Sequence, residues 1–181
     1  VQGVVVWKDN LTIKATDPNP ANTIIQTTNN GAWMDWWRIQ YLTGGVFTSS
    51  TPTLVGGYNP GTSASPNAVM IVAEGVTIDG FTINAHPYTC DGGYNGSGVL
   101  IGGVAPGQTF EVGTYNNNTI KNNVFTDVWS GVYLWHSSGN TISNNTITQG
   151  ACHAGSSIRI FDGNNDTQLA LAPSSSGNTI E

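Results

Sequence analysis

The chain has 181 residues, which is enough for one domain with a sizeable core. Only 9% of the residues are charged and the formal net charge is −6. The surface therefore has no basic stripe of the kind that binds nucleic acid or an anionic membrane. No run approaches the ~18 apolar residues that a membrane span needs. We expect no nucleic-acid partner and no membrane insertion.

Short alternating segments recur along the chain in a fixed order of three, named here strands a, b and c. Each has four to six residues and alternates apolar with polar, which favours β-strand over helix. A unit of about 22 residues with three short strands buries its apolar side only by stacking on the next unit, about 4.8 Å away. The pattern predicts an all-β parallel β-helix with three sheets and four to five coils. The a segments lie at 3–7, 68–72, 97–102, 130–135 and 156–161; the b segments at 10–15, 76–80, 118–121, 140–143 and 178–181; and the c segments at 22–26, 81–85, 123–127 and 145–149.

Aligning the coils sorts the residues into columns. The inward columns are predicted to be Ile78, Ile120 and Ile142; Ile83, Phe125 and Ile147; Val99, Val132 and Ile158; and Ile101, Leu134 and Ile160. Two asparagine columns fall at corners, one with Asn118, Asn140 and Asn178 and the other with Asn123 and Asn145. Stacked amides can satisfy each other and the backbone at tight turns. On the outside, Asp79 is expected to lie over Lys121 as an exposed pair of little energetic weight.

The segments NTISNNTIT and SGVYLWHSSGNTISNN resemble the right-handed parallel β-helix repeats of the pectin-lyase-like superfamily, above all its copper-accessory and carbohydrate-binding repeat families. The resemblance covers residues 1–16, 68–102 and 118–181. It implies a right-handed β-helix but little about function, because lyases, hydrolases, epimerases, adhesins and phage spikes share this fold. We interpret 1–181 as a single domain in which 27–67 is a long insertion.

In enzymes of that superfamily, the sheet that matches strand a usually carries the substrate groove. Its outward columns here are mostly apolar, unlike the charged groove of a polyanion lyase. An exposed strip of this size needs a cover, and we expect the insertion to provide it through AWMDWWRIQYL at 32–42. The alternatives are that these rings stack on sugars or contact another subunit. The outward columns are Val5, Met70, Leu100, Tyr133 and Arg159, and Trp7, Val72, Gly102, Trp135 and Phe161.

The far end of strand a is expected to be an open aromatic surface. A glycan or partner contact is predicted there and at the insertion, through Tyr133, Trp135, Phe161, Arg159, Trp36 and Trp37. If the protein is an enzyme, the catalytic candidates are His136, Arg159 and Asp162, because they lie near the ends of neighbouring a strands. The competing interpretation is a polar fringe at the strand ends.

Cys90 and Cys152 fall in equivalent c-to-a loops two coils apart, which separates fixed strands by about 9.6 Å. The long loop at 86–96 favours a disulfide all the same. Free thiols, or a metal cluster that includes His86 and His153, are the alternatives; we predict no metal and no cofactor. Cysteines and few lysines favour an extracellular or cell-surface location. Sequons occur at Asn10, Asn95, Asn117, Asn144 and Asn165, and their abundance in an Asn- and Thr-rich chain makes them a weak glycosylation signal.

The sequence favours a non-catalytic extracellular β-helix module, structural or adhesive, with glycan contact. The alternative is a segment of a polysaccharide lyase or glycoside hydrolase. The last segment, NTIE at 178–181, would leave an open sheet edge, which invites association. We therefore expect either a longer natural protein or self-association through open β-helix ends.

Overall fold

The computed structural model describes residues 4–26, 67–85, 97–102, 115–128, 130–135, 137–149, 157–161 and 175–181. Within these ranges the chain forms fourteen short strands and one 3₁₀ turn, Pro20–Asn22. The alternation of β-branched residues with polar ones explains the strands, because such residues pack well on a pleated surface. The predicted insertion at 27–67 lies outside the described residues except for Asn67, and the single-domain interpretation stays a prediction.

The strands fall into five successive coils. Coil 1 contains β1 (Val4–Val6), β2 (Thr12–Lys14) and β3 (Ile24–Gln26), and coil 2 contains β4 (Val69–Ile71), β5 (Thr77–Asp79) and β6 (Thr82–Asn84). Coil 3 contains β7 (Ser97–Ile101), β8 (Thr119–Lys121) and β9 (Val124–Val128), and coil 4 contains β10 (Ser130–Trp135), β11 (Thr141–Ser143) and β12 (Thr146–Gln149). Coil 5 contains β13 (Ile158–Phe161) and β14 (Thr179–Ile180).

Like strands of successive coils pair in parallel to form three sheets. Sheet A has the order β1-β4-β7-β10-β13, sheet B has β2-β5-β8-β11-β14, and sheet C has β3-β6-β9-β12. The register is the one that the sequence predicts, since Ile78 pairs with Ile120 and Ile120 with Ile142. The prediction of a right-handed parallel β-helix with three sheets and four to five coils is confirmed.

The interior is a set of stacked apolar columns. In coils 2 and 3 the predicted inward residues are fully buried, including Ile78, Ile83 and Phe125, whereas in coil 4 Leu134 is buried and Ile147 is partly buried. The same columns open at the C-terminal end, where Ile160 is 48% and Ile180 is 53% exposed. The predicted columns are therefore confirmed, and their burial is lower in coil 5 than in coils 2 and 3.

The tight corners depend on residues that tolerate a left-handed backbone. The corner between sheets B and C has positive φ at Gly80, Asn122 and Asn144. The corner between sheets A and B has positive φ at Asn10, Gly75, Asn117, Gly139 and Gly177. Glycine and asparagine adopt the left-handed conformation at the lowest energetic cost. This explains why one or the other of these residue types occupies each of these corner positions.

Two asparagine ladders join the coils from inside. The Asn118 carboxamide oxygen accepts from the Val76 N–H at 2.8 Å, and the Asn140 oxygen accepts from the Asn118 N–H at 2.9 Å. At the other corner, the Asn123 oxygen accepts from the Phe81 N–H at 3.0 Å. Each acceptor lies one coil towards the C-terminus from its donor, and the predicted ladders are confirmed: Asn178 and Asn145 provide the next acceptors, for Asn140 and Asn123.

Candidate functional site: the outer faces of the β-helix

The outer face of sheet A is buried in the middle coils. The side chains of a strand alternate between its two faces, so Met70, Leu100 and Tyr133 point away from the interior columns. Met70 is 0%, Leu100 2% and Tyr133 9% exposed. Sheet A is thus packed on both faces in coils 2 to 4.

Tyr133 is less exposed than the sequence analysis predicts. The guanidinium carbon of Arg159, on the next coil, lies 5.1 Å from the centre of the Tyr133 ring, a distance typical of a cation–π interaction. With only 9% of its surface exposed, the ring is not a free platform for a sugar. Of the six predicted contact residues, only Tyr133 and Arg159 have described side chains.

The remaining predicted site residues fall largely outside the described ranges. Trp36, Trp37, His136 and Asp162 are among these, as is the rest of the 32–42 segment that we expect to cover sheet A. Trp135 and Phe161 are described through their backbone pairing with each other. His136 and Asp162 lie outside the described residues, and the catalytic role of these two with Arg159 stays a prediction.

The outer face of sheet B is polar and partly open. Five threonines pair across all five coils in one column: Thr12, Thr77, Thr119, Thr141 and Thr179. The next outward column contains Lys14, Asp79 and Lys121. Sequence comparison along the chain can find both columns, because equivalent positions recur in every coil.

Asp79 is more enclosed than the sequence predicted. Its carboxylate lies 3.8 Å from the Lys14 amine and 3.9 Å from the Lys121 amine, and it accepts from the Asn122 side chain at 2.8 Å. The Asp79 side chain is only 11% exposed, whereas the two lysines are 69% and 41% exposed. The expected exposed pair is thus a buried carboxylate between two lysines. Its satisfied contacts indicate a structural role.

A second polar column, at the corner between sheets A and B, was not found from the sequence. The Asp9 carboxylate accepts from the Glu74 N–H at 2.8 Å, and the Glu74 carboxylate accepts from the Asn116 amide at 3.3 Å. Asn116 then accepts from the Ser138 N–H at 2.8 Å. Because the residue type changes from coil to coil, repeat matching gives no signal for this column.

All the histidines and cysteines of the chain lie outside the described residues. In chain order, residues 86–96 fall between β6 and β7, and residues 150–156 fall between β12 and β13. Cys90 is in the first loop and Cys152 in the second. Among the described side chains, no group of three or more His, Cys, Asp or Glu could hold a metal ion. The disulfide and its alternatives therefore stay predictions.

Three of the five sequons are described. Asn10, Asn117 and Asn144 are exposed and have positive φ, so each lies at the outside of a tight corner. Asn95 and Asn165 lie outside the described ranges. Exposure makes the three sites accessible, and glycosylation there stays a prediction.

The comparisons with known proteins add a family. The model of the family described as "NosD: Periplasmic copper-binding protein (NosD)" matches residues 61–180. The chain belongs to this family. The match spans coils 2 to 5 and begins after coil 1. No curated protein and no solved structure gives a significant match.

Membership of this family agrees with the predicted location at the coarse level, because the family is described as periplasmic. In the part of the chain that the structure describes, no helix is long and apolar enough to cross a membrane.

Proposed function

We propose that this chain is a non-catalytic β-helix module that works outside the cytoplasm as a rigid structural or adhesive scaffold. The buried outer face of sheet A supports this proposal most. In pectin-lyase-like enzymes this face usually carries the substrate groove, and here Met70 and Leu100 on it are at most 2% exposed. A polysaccharide chain needs an open cleft to reach catalytic groups.

The competing function is a carbohydrate-active enzyme of the lyase or hydrolase class, with His136, Arg159 and Asp162 as its candidates. A cleavage screen of neutral and acidic polysaccharides with the full chain separates the two. We expect no release of reducing ends and no unsaturated uronate absorbance at 235 nm. Turnover that is lost in Arg159→Ala, and retained in the surface control Thr12→Ser, would overturn the non-catalytic proposal.

Glycan contact belongs to the same proposal in a narrower form. Arg159 is the described residue that best supports it, because its guanidinium is half-buried over a ring and so held in one place. Trp135, Phe161, Trp36 and Trp37 would supply the aromatic surface. A glycan array with the parent chain and Arg159→Ala tests this contact. Equal binding by the two proteins would place the glycan elsewhere.

Self-association is the second narrower proposal. Ile160 and Ile180 occupy core columns and are about half exposed, and strand edges with exposed apolar residues favour pairing with another chain. Sedimentation of the chain over a hundredfold range of concentration measures it. A mass that increases with concentration supports the proposal, and a constant monomer mass contradicts it.

Copper handling is a second candidate function, favoured by the family description. Thiolate and imidazole are donors that copper accepts readily, and Cys90, Cys152, His86 and His153 would supply them. The two roles of the cysteines exclude each other, since a disulfide leaves no thiolate. The oxidation state of Cys90 and Cys152 therefore distinguishes a disulfide from a copper site.

One experiment addresses both. Alkylation of the unreduced protein, followed by mass spectrometry, counts the free thiols, and competition with a chromophoric Cu(I) chelator measures binding of Cu(I). The disulfide predicts no alkylation. The copper role predicts two alkylated thiols and Cu(I) binding that Cys90→Ser removes. Thr119→Ser is the control, because it changes an outer side chain of sheet B that is neither a thiol nor an imidazole.

A further inference from the structure

The outer face of sheet C presents two straight columns of side chains. The strands pair there without a register shift, and the columns are Ile24, Thr82, Val124 and Thr146, and Gln26, Asn84, Thr126 and Thr148. Neighbouring strands lie about 4.8 Å apart, and alternate residues along one strand lie about 6.6 Å apart. The face is therefore a small lattice of eight side chains with two regular spacings.

The side chains of this lattice are short and stiff. Six of the eight are β-branched, namely Ile24, Val124 and the four threonines. A β-branched side chain has few χ1 rotamers, so its methyl and hydroxyl groups keep fixed positions. The Asn84 amide also donates to the Thr126 hydroxyl at 3.4 Å, which joins the second and third coils. The lattice is thus more rigid than a surface of long charged side chains.

The lattice is open to solvent, unlike the outer face of sheet A. Ile24 is 47% exposed, and Gln26, Thr146 and Thr148 are exposed as well. The other four side chains are half-buried, because each stands between neighbours in its own column. A large flat ligand can therefore reach all four coils of this face at once.

None of these eight side chains is charged, although the chain has a formal net charge of −6. The outer face of sheet B differs, since Lys14, Asp79 and Lys121 form one of its columns. In sheet C the register shifts after Thr148, and Asp127 falls between the paired positions, so the regular array ends before it. The electrostatic match of this face is to a ligand that is itself neutral and periodic.

We propose that the outer face of sheet C binds ice. The prism face of hexagonal ice presents water oxygens at two perpendicular spacings that are close to those of this lattice. The threonine hydroxyls can hydrogen-bond to these oxygens, and the methyl groups gain by leaving liquid water. This function goes beyond the scaffold role proposed above and is independent of whether the module binds a glycan or copper.

The test measures ice growth in the presence of the full chain. The shape of single ice crystals and the rate of recrystallisation in a frozen sucrose solution are compared for the parent, Thr126→Lys and Thr119→Lys. Thr126 lies within the sheet C lattice. Thr119 lies on the outer face of sheet B in the same coil and is also half-buried. Its variant is therefore the matched control for an added charge.

We expect the parent to give faceted ice crystals and to slow recrystallisation. Thr126→Lys should raise the concentration needed by about tenfold or more, because an unpaired charge would be buried against the ice. Thr119→Lys should match the parent. A parent without effect on ice, or equal losses in the two variants, would overturn the proposal. If Thr126→Lys loses its β circular dichroism, Thr148→Lys takes its place, since Thr148 is an exposed member of the same column.

Sedimentation of the same three proteins tests the other occupant of such a face, a second copy of the chain. A parent that is inactive on ice but loses mass in Thr126→Lys would assign the face to contact between copies, and the ice proposal would be wrong.

Discussion

The three middle coils and the two terminal coils are built from one repeat but are stabilised to different extents. In the middle, Ile78 and Ile120 have no exposed surface, the asparagine ladders join coil to coil, and sheet A is buried on both faces. At the ends the same columns contain Ile180, which is 53% exposed, and Leu11, which has no ladder amide. The repeat therefore determines which column a residue occupies. The neighbouring coils determine how much that residue contributes to the stability of the fold.

Truncation within one column gives the largest contrast. Ile120→Ala removes a fully buried side chain and should lower the free energy of unfolding by about 2–5 kcal/mol. Ile180→Ala, at the equivalent position in coil 5, should lower it by less than about 1 kcal/mol, because half of the side chain is already in water. Urea unfolding checks both, and equal losses would show that coil 5 is packed like coil 3.

Removal of an asparagine from a ladder should cause the second-largest loss of stability. Asn118→Ala leaves the Val76 N–H without its partner at a buried site, whereas the Tyr115 carbonyl loses one donor and keeps the Ser137 hydroxyl. One unsatisfied buried group costs about 1–3 kcal/mol, and we expect a loss in this range by urea unfolding. Leu11→Ala in coil 1 is the matched control and should cost under about 1 kcal/mol, since Leu11 is 37% exposed. If Asn118→Ala were as stable as Leu11→Ala, the asparagine ladder would not stabilise the fold.

Close packing gives the third contrast. A Cβ at Gly98 would overlap a ring carbon of Phe125, so Gly98→Ala should cost about 1–3 kcal/mol through overpacking. Gly177→Asn is the control in coil 5: its nearest neighbour is 4.0 Å away, and its φ of +63° is one that asparagine accepts. Thermal unfolding should leave the control unchanged. A neutral Gly98→Ala would mean that Phe125 moves freely.

The smallest effect concerns coil 1. Hydrogen bonds from the Asn19 backbone and the Asn22 side chain hold the pKa of Asp17 below its usual range. A depressed carboxyl pKa stabilises the folded state above the unfolded pKa of about 3.9, and this contribution is lost as the pH falls through the folded pKa. The melting temperatures of the parent and Asp17→Asn should therefore differ slightly at pH 7 and converge below about pH 4. A difference that persists at low pH would contradict the assignment to the ionised carboxylate.

The sequence was sufficient for the fold because Ile120 and Ile142 recur in one frame and each coil repeats the same inward positions. The asparagine ladders followed from the same alignment. The burial of Asp79 did not, because an alignment of coils places lysines beside the carboxylate but contains no information on how far it is enclosed. The burial of Tyr133 did not follow either, since an alignment of coils contains no information on what packs outside sheet A. The members of each column follow from the repeat of each coil. The burial of an outward side chain depends instead on other parts of the chain that pack against it.

The buried outer face of sheet A carries the functional proposal, and the oxidation of Met70 tests it most directly. Solvent-accessible methionine is oxidised to the sulfoxide, whereas a buried side chain is protected. After dilute peroxide and peptide mapping, Met70 should stay reduced in the native protein and become oxidised in urea. Oxidation of native Met70 as fast as in urea would mean that this face is open, and a substrate groove would again be available there.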